Sequence, residues 1–161
     1  MKRLNLVAIA LTIMSCNVLA GDQGHFQVAG GAGTGGANFS IGGGTNVDEL
    51  EISSIDLGTV DGTDSARFVG ISLVQNAEPV NNLGLLFRLG FGKATTTFTD
   101  GSTASRLGLG DGVFFGIGAK YQLNNHLAFR AEVNRITYAT SADGLSFGIS
   151  YPVTIGALYR F

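Results

Sequence analysis

Several charged residues of this sequence stand between apolar neighbours, in segments where apolar and polar residues alternate. Alternate side chains of a β-strand point to opposite faces, so these charges share the face opposite to the apolar side chains. Inside a fold such charges must pair, because an unpaired buried charge costs several kcal/mol. The sequence therefore predicts a salt-bridge network or, alternatively, a narrow ion path. The residues concerned are Arg88, Lys120, Arg130, Glu132 and Arg160, joined by Glu49 and Glu51 from a less regular segment.

Other residue patterns give weaker indications of chemistry. Residues 31–36 have the GxGxxG spacing of a dinucleotide loop, but that motif needs a following helix, and here more glycine and a strand pattern follow. Residues 61–64 (Asp-Gly-Thr-Asp) are too short for a calcium loop. Serine and threonine are plentiful, but none stands beside a recognisable base. The sequence predicts no enzyme, no cofactor and no metal site.

The elements that position the charges are best seen in residues 145–161. An apolar side chain stands at every odd position of this segment, and the residues between are mostly small or polar. Strands of water-soluble domains typically have about 5–6 residues. In a membrane barrel, by contrast, one face of each strand meets lipid and the other meets a polar lumen. The pattern predicts a strand with Ile149 towards lipid and Ser150 towards the interior.

The same alternation recurs in two hairpins. Asn124 and Asn125 supply the turn of one hairpin, because asparagine tolerates the positive φ angles that tight turns need. The turn of the other hairpin lies at 79–82. The strands so joined are 113–123 with 127–133, and 69–73 with 83–91.

The alternation is less regular nearer the N-terminus. Residues 26–33 and 37–43 fit two glycine-rich strands, and residues 47–57 fit a third. In that third strand the apolar period slips between Ser53 and Ile55, which indicates either a β-bulge there or a different register of the strand. These segments bring the total to eight strands.

The links between the eight strands alternate between short and long. Barrels of the outer membrane have short periplasmic turns and longer external loops, and an even strand number leaves both barrel ends of the chain on the periplasmic side. A closed barrel also satisfies every backbone hydrogen bond without water. We therefore predict an all-β fold, an eight-stranded antiparallel transmembrane β-barrel of meander topology. The short links lie near 44–46, 79–82 and 124–126, and the longer ones at 58–65 and 99–110, with a shorter polar version of these at 139–144.

Residues 1–20 have the pattern of a secretory signal peptide. Lys2 and Arg3 form a basic start, an apolar run follows, and small residues end at Ala20. The barrel domain is then expected to comprise residues 21–161. Cys16 leaves an alternative open, in which it becomes the acylated first residue of a lipoprotein. With 10 basic and 12 acidic residues and no basic cluster, the chain is not expected to bind nucleic acid.

Two segments resemble small outer-membrane β-barrel proteins of the OmpA, OmpX and opacity-protein type. Residues 116–132 resemble a strand-turn-strand segment of these proteins, and residues 158–161 resemble their terminal strand with its closing aromatic. The resemblance covers their barrel domain alone. It implies the outer membrane of a Gram-negative-type bacterium, with membrane lipid and lipopolysaccharide as surroundings. It also implies that Tyr159 and Phe161 form the signal read by the barrel-assembly machinery.

The expected role is structural or interactive. An eight-stranded barrel has an interior just wide enough to be filled by side chains, so the charge network is expected to plug it. Loops 58–65 and 99–110 would then contact a host or surface ligand, or the barrel would stabilise the envelope. A small porin-like channel is the main alternative, and a soluble barrel with its apolar face inside is another. Lipid A deacylases, which resemble this fold, place a serine two residues after a histidine, and neither His25 nor His126 has one.

Aromatic side chains are expected to form girdles at the two membrane interfaces. The chain has no tryptophan, so these girdles would consist of tyrosine and phenylalanine. We expect Tyr121, Tyr159 and Phe161 near the periplasmic rim, and Phe98, Phe115 and Tyr138 near the outer rim.

Overall fold

In the computed structural model of the chain, the described residues form nine β-strands. The structure describes residues 24–45, 47–59, 65–77, 80–97, 111–139 and 147–161. In these ranges no helix is long and apolar enough to cross a membrane. The strands are β1 (His25–Gly33), β2 (Gly36–Gly44), β3 (Asp48–Gly58), β4 (Ser65–Asn76), β5 (Leu83–Thr97), β6 (Asp111–Gln122), β7 (Leu127–Ala139), β8 (Phe147–Ser150) and β9 (Val153–Arg160).

Some sequence-based predictions concern residues outside these described ranges. The predicted signal peptide 1–20, including Cys16, lies outside the described ranges. So do all of loop 99–110, most of loop 58–65 and the girdle residue Phe98.

The strands close into a barrel. From β1 to β7 each strand pairs antiparallel with the next, β7 pairs with both β8 and β9, and β9 pairs back to β1. Because β8 and β9 follow one another along β7, they occupy one position, and the barrel has eight. This confirms the predicted closed, eight-stranded antiparallel barrel with meander topology.

The last predicted strand, 145–161, is interrupted at Pro152. Proline has no N–H to donate to a sheet, so the ladder breaks there, although the Pro152 carbonyl still accepts a 3.0 Å hydrogen bond from the Asn134 N–H. The alternation of faces continues across the break. Tyr151 is exposed on the outside and Pro152 is buried.

The two ends of the barrel differ. We call the end with the β2–β3, β4–β5 and β6–β7 links the turn end, and the opposite end the loop end. At the turn end, the Phe161 N–H donates to the Phe26 carbonyl, so both termini of the barrel meet there. The β1–β2 link, Thr34–Gly35, is also short but lies at the loop end, which the strict alternation of links did not predict.

The turn predictions were right at one link and wrong at another. Asn81 and Asn82 have φ of 52° and 68°, as a hairpin turn with two left-handed residues requires. Asn124 and Asn125 do not have positive φ, contrary to prediction. There the Asn124 side-chain oxygen accepts from the N–H groups of His126 and Leu127 at 2.9 Å, so a side chain forms the turn in place of left-handed backbone.

The bulge predicted between Ser53 and Ile55 was misplaced. Pairing of β3 with β4 is continuous up to Asp56, and the register shifts only between Asp56 and Gly58. The apparent slip has another cause: Ile55 and Leu57 are inward residues on the same face as Glu49, but they are apolar. Gly58, with φ of 73°, adopts the left-handed conformation that the shift needs.

The interior changes character along the barrel axis. On β7 the inward residues run from Ala128 at the turn end through charged Arg130 and Glu132, then Asn134, to the apolar pair Ile136 and Tyr138 at the loop end. The prediction of Tyr138 on the outer girdle is therefore wrong. Tyr138 lies an even number of positions from Arg130 on the same strand, so both side chains point inward, and that of Tyr138 is only 1% exposed.

Apolar side chains cover the outside of the barrel. Every strand except β1 presents large exposed apolar side chains, whereas β1 presents Gly30 and Ala32 together with the half-buried Phe26 and Val28. The faces are thus opposite to those of a soluble barrel. The predicted girdle residue Phe115 also points outward.

The depth of this apolar face can be tested with two arginine substitutions. Ile155 is 66% exposed and pairs with Ala32 and Ala131 in the middle of the barrel wall, whereas Ile149 on β8 pairs with Thr137, nearer the loop end of the barrel. In phospholipid vesicles, Ile155→Arg is expected to lower the free energy of unfolding by about 2–4 kcal/mol, and Ile149→Arg by about 0–1 kcal/mol. Denaturant titration of the folded barrel measures both. Equal losses would show that the outer face does not meet lipid in this way.

Candidate functional site

The charged residues lie inside the barrel because they occupy inward positions of five strands. Pairing brings these strands round one axis, so that side chains distant in sequence converge in the half nearer the turn end. All seven residues of the predicted set are found there. They are Glu49 and Glu51 on β3, Arg88 on β5, Lys120 on β6, Arg130 and Glu132 on β7, and Arg160 on β9.

Glu51 is the central carboxylate of the interior. It is 0% exposed and lies between two arginines. Nη1 of Arg130 is 2.6 Å from Glu51 Oε1, and Nη2 of Arg88 donates to Oε2. Both carboxylate oxygens therefore accept from a charged donor, which is the condition for keeping a carboxylate buried.

Glu132 binds the same two arginines from the opposite wall. Nε of Arg130 lies 2.5 Å from Glu132 Oε1, and Nε of Arg88 lies 3.3 Å from Oε2. Two arginines and two glutamates thus form a closed, electrically neutral ring across the barrel. We call Glu51, Arg88, Arg130 and Glu132 the four-residue ring.

Glu49 forms a second group nearer the turn end. Its Oε1 atom is 3.0 Å from Nη2 of Arg160, 3.5 Å from Nζ of Lys120 and 3.3 Å from Nε2 of His25. One carboxylate here faces two full cations and an imidazole. The turn end of the interior is therefore electropositive.

Sequence reasoning missed the neutral residues that complete the network. Nε2 of Gln27 donates to Glu49 at 2.7 Å and to Glu51 at 2.8 Å, which joins the two groups. The hydroxyl oxygens of Ser40 and Ser53 each accept from an arginine at 3.0 Å. His25, at the start of β1, was also missed. All four share the inward parity of their strands. The glycine-rich sequences of β1 and β2 hid this parity for His25, Gln27 and Ser40, and the apparent slip in the apolar period of β3 hid it for Ser53.

A small cavity with several polar groups in its lining lies beside the four-residue ring. Its volume is about 40 Å³, and its lining includes Ser40, Arg130 and Asn134. Asn134 is buried, and neither atom of its amide has a hydrogen-bond partner in the described part of the chain. A volume of this size exceeds the roughly 10–15 Å³ that a water molecule needs. Gly116 keeps this region open, because a Cβ there would lie 2.2 Å from the Asn134 side-chain oxygen.

An apolar cluster fills the interior towards the loop end. The rings of Phe68 and Phe114 meet edge to face, with centroids 5.2 Å apart. The guanidinium carbon of Arg88 lies 5.9 Å from the Phe114 centroid, which links the cluster to the four-residue ring. The cluster consists of Ile55, Leu57, Ala66, Phe68, Ala94, Phe114, Ile136 and Tyr138.

The predicted assembly residues form an aromatic group on the outside of the turn end. The ring of Tyr159 lies 4.9 Å from that of Phe161 and 6.0 Å from that of His126. Phe161 also packs against Phe26, with ring centroids 5.6 Å apart. Tyr159 and Phe161 are both exposed, as is Tyr121.

The four-residue ring neutralises its own charges and fills part of the barrel interior. Each guanidinium of the four-residue ring binds both carboxylates of the ring and one serine. Within the described ranges, no group of three or more histidine, cysteine, aspartate or glutamate side chains could hold a metal ion.

A closed barrel with an apolar exterior and a charged interior defines the transmembrane β-barrel class of fold. No family model matches the chain, and no curated protein matches it. Fourteen chains of solved structures do match.

Three of these structures illustrate the similarity. The crystal structure of Neisserial surface protein A is 13% identical, with 85% of this chain and 94% of that chain covered, at a TM-score of 0.50. The attachment invasion locus protein of Yersinia pestis is 13% identical over 86% of this chain and 98% of that chain, with a TM-score of 0.49. A de novo designed transmembrane β-barrel is 17% identical over 86% and 95%, also with a TM-score of 0.49. The neisserial similarity is one of fold alone.

Removing one member of the four-residue ring tests its energetic weight. Glu51→Gln keeps the shape of the side chain but leaves Arg88 and Arg130 with a single buried carboxylate between them. The free energy of unfolding is expected to fall by about 3–5 kcal/mol, the range for breaking a buried ion pair from one side. Asp48→Asn, an exposed position on the same strand, is the control and should change it by less than about 0.5 kcal/mol. Similar small losses in both variants would mean that the ring contributes little to stability.

Proposed function

We propose that the chain is an integral outer-membrane protein with a closed interior and a structural or surface-interaction role. The observation that carries this proposal is the division of side chains between the two faces of the wall. The seven charged residues of the predicted network are inside and paired, while large apolar side chains cover the outside. A monomer in water rarely exposes apolar patches beyond a few hundred Å², whereas a lipid-facing wall requires them.

Two interior layers support the closed state. The four-residue ring ties β3, β5 and β7 together across the axis, where four charged side chains occupy the cross-section. Beyond it, Phe68 and Ile136 are 0% exposed within the apolar cluster. A permeating ion would have to separate paired charges and then cross an apolar layer. The interior is therefore non-conducting in this proposal, and the porin-like channel is the alternative that the experiment must exclude. The proposed role is also non-catalytic.

The proposed partners follow from where each surface of the barrel would lie in the outer membrane. Membrane lipid and lipopolysaccharide surround the apolar wall, and loops 58–65 and 99–110 are the surface offered to a host or neighbouring molecule. Stabilisation of the envelope is the form this role takes if the loops bind nothing. The exposed aromatic group of Tyr159 and Phe161 at the turn end is the contact for the barrel-assembly machinery. No nucleic acid takes part.

The proposal is tested by expressing the full chain in a Gram-negative bacterium and fractionating the envelope. The protein is expected in the outer-membrane fraction, soluble only with detergent, and with an electrophoretic mobility that changes on heating. After purification in that folded form, it is expected to give no steady unitary currents in planar lipid bilayers, because both interior layers are closed.

Two results would contradict different parts of the proposal. Recovery from the periplasm without detergent would refute the membrane location. Steady, reproducible unitary currents from the folded protein would refute the closed interior and favour the channel. The unheated gel band is the control, because it shows that the protein tested for currents was folded.

A further inference from the structure

A groove crosses the outer wall of the barrel over β5, β6, β7 and β9. Its floor is the cross-strand pair of Ala119 and Ala131, whose small side chains leave a depression in the wall. Larger apolar side chains, among them Phe87, Val133 and Ile155, stand round it. The groove has a volume of about 460 Å³, within the size range of small-molecule sites. Its shape and lining suit a hydrocarbon chain.

A cation with no ion-pair partner in the described part of the chain lies beyond one end of this groove. Arg135 is an outward, exposed residue of β7, four positions beyond Ala131 towards the loop end, or about 13 Å along the strand. Its guanidinium has no ion-pair or hydrogen-bond partner among the described residues. The outward side chains of β7 before it, Phe129, Ala131 and Val133, are apolar, so Arg135 marks the edge of the apolar stripe on its own strand.

The setting of Arg135 favours a ligand with both a negative and an apolar part. Phe115 lies directly opposite it on β6, so the long arginine side chain can run along apolar surface and carry its charge towards the loop end. An arginine binds phosphate oxygens with two parallel hydrogen bonds, which makes it well suited to a phosphorylated headgroup. The groove below it would receive the acyl chain of the same molecule.

We propose that the groove and Arg135 together form a binding site for lipopolysaccharide, the phosphorylated glycolipid of the outer leaflet. One acyl chain lies over Ala119 and Ala131, and a phosphate group lies on Arg135. The site rests on the proposed location in the outer membrane, with the loop end facing outward. It deepens that proposal, because it turns general lipid contact into a defined site on one side of the barrel.

The two parts of the site are tested separately on purified, folded protein in detergent. Binding of lipopolysaccharide is measured by native mass spectrometry, with phosphatidylglycerol and phosphatidylcholine as comparison lipids. Arg135→Gln is expected to weaken lipopolysaccharide binding about tenfold, the effect of one lost charge-assisted hydrogen bond. Ala131→Phe, which fills the groove, is expected to weaken it as well, with the phosphate contact intact.

Matched controls lie on strands that do not border the groove. Arg67→Gln removes another outward cation, on β4, and Ala37→Phe enlarges another outward alanine, on β2. Both are expected to bind lipopolysaccharide as the unchanged protein does. The change of gel mobility on heating shows for each variant that the barrel is folded before binding is compared.

Three results would overturn the site. They are unchanged binding in Arg135→Gln and Ala131→Phe, equal weakening in the two control variants, and equal affinity for phosphatidylglycerol and lipopolysaccharide. Because the measurement uses purified protein, any of these results leaves the location of the chain to be judged by fractionation. Failure of the site and failure of the proposed function are therefore distinguishable.

Discussion

The pairing of two arginines with two glutamates across the barrel axis is the interaction on which the rest of this structure depends. Arg88, Arg130, Glu51 and Glu132 come from three strands, and each charge is neutralised only when all three strands are in register. A slip of one residue would turn each charge of the slipped strand towards the outer face. The ring therefore favours one register over its neighbours, as well as filling the interior.

The ring also explains how the small residues of the chain are distributed. Arginine and glutamate side chains fill a narrow interior only if the wall positions beside them are small, and Gly116 and Gly118 on β6 face them. Nearer the loop end, Phe68 and Phe114 lie together across the interior, and apolar packing fills the space without charged residues. The interior is thus filled by two different means along one axis, electrostatic pairing and apolar packing.

The sequence predicted the positions of most strands correctly, but it predicted the packing of the inward side chains less well. Alternation of apolar and polar residues located the strands, because a lipid-facing wall imposes it on nearly every strand. The same alternation had no means of predicting that the inward face becomes apolar near the loop end. Ile55 therefore looked like a slip in register, and Tyr138 like a girdle residue. Gln27 was also missed because its partners, Glu49 and Glu51, reach it only when β2 pairs with β1 on one edge and with β3 on the other. The alternation along one strand predicts the face to which a side chain points. The identity of its hydrogen-bond partner depends on which strands lie next to each other in the closed sheet.

A closed, lipid-embedded barrel is tested most directly by the accessibility of alternate positions along β4, which carries no member of the four-residue ring. Cys16 is the single cysteine of the chain and lies in the predicted signal peptide, so spin labels can be attached to cysteines introduced one at a time. In lipid vesicles, labels at outward positions should collide with dissolved oxygen, which concentrates in lipid. Labels at inward positions should be shielded from both oxygen and a water-soluble nickel complex. A loss of the two-residue period, or strong exposure of the inward labels to the nickel complex, would contradict a closed, lipid-embedded barrel. The outward positions are Val69, Ile71 and Leu73, and the inward ones Ser72, Val74 and Asn76.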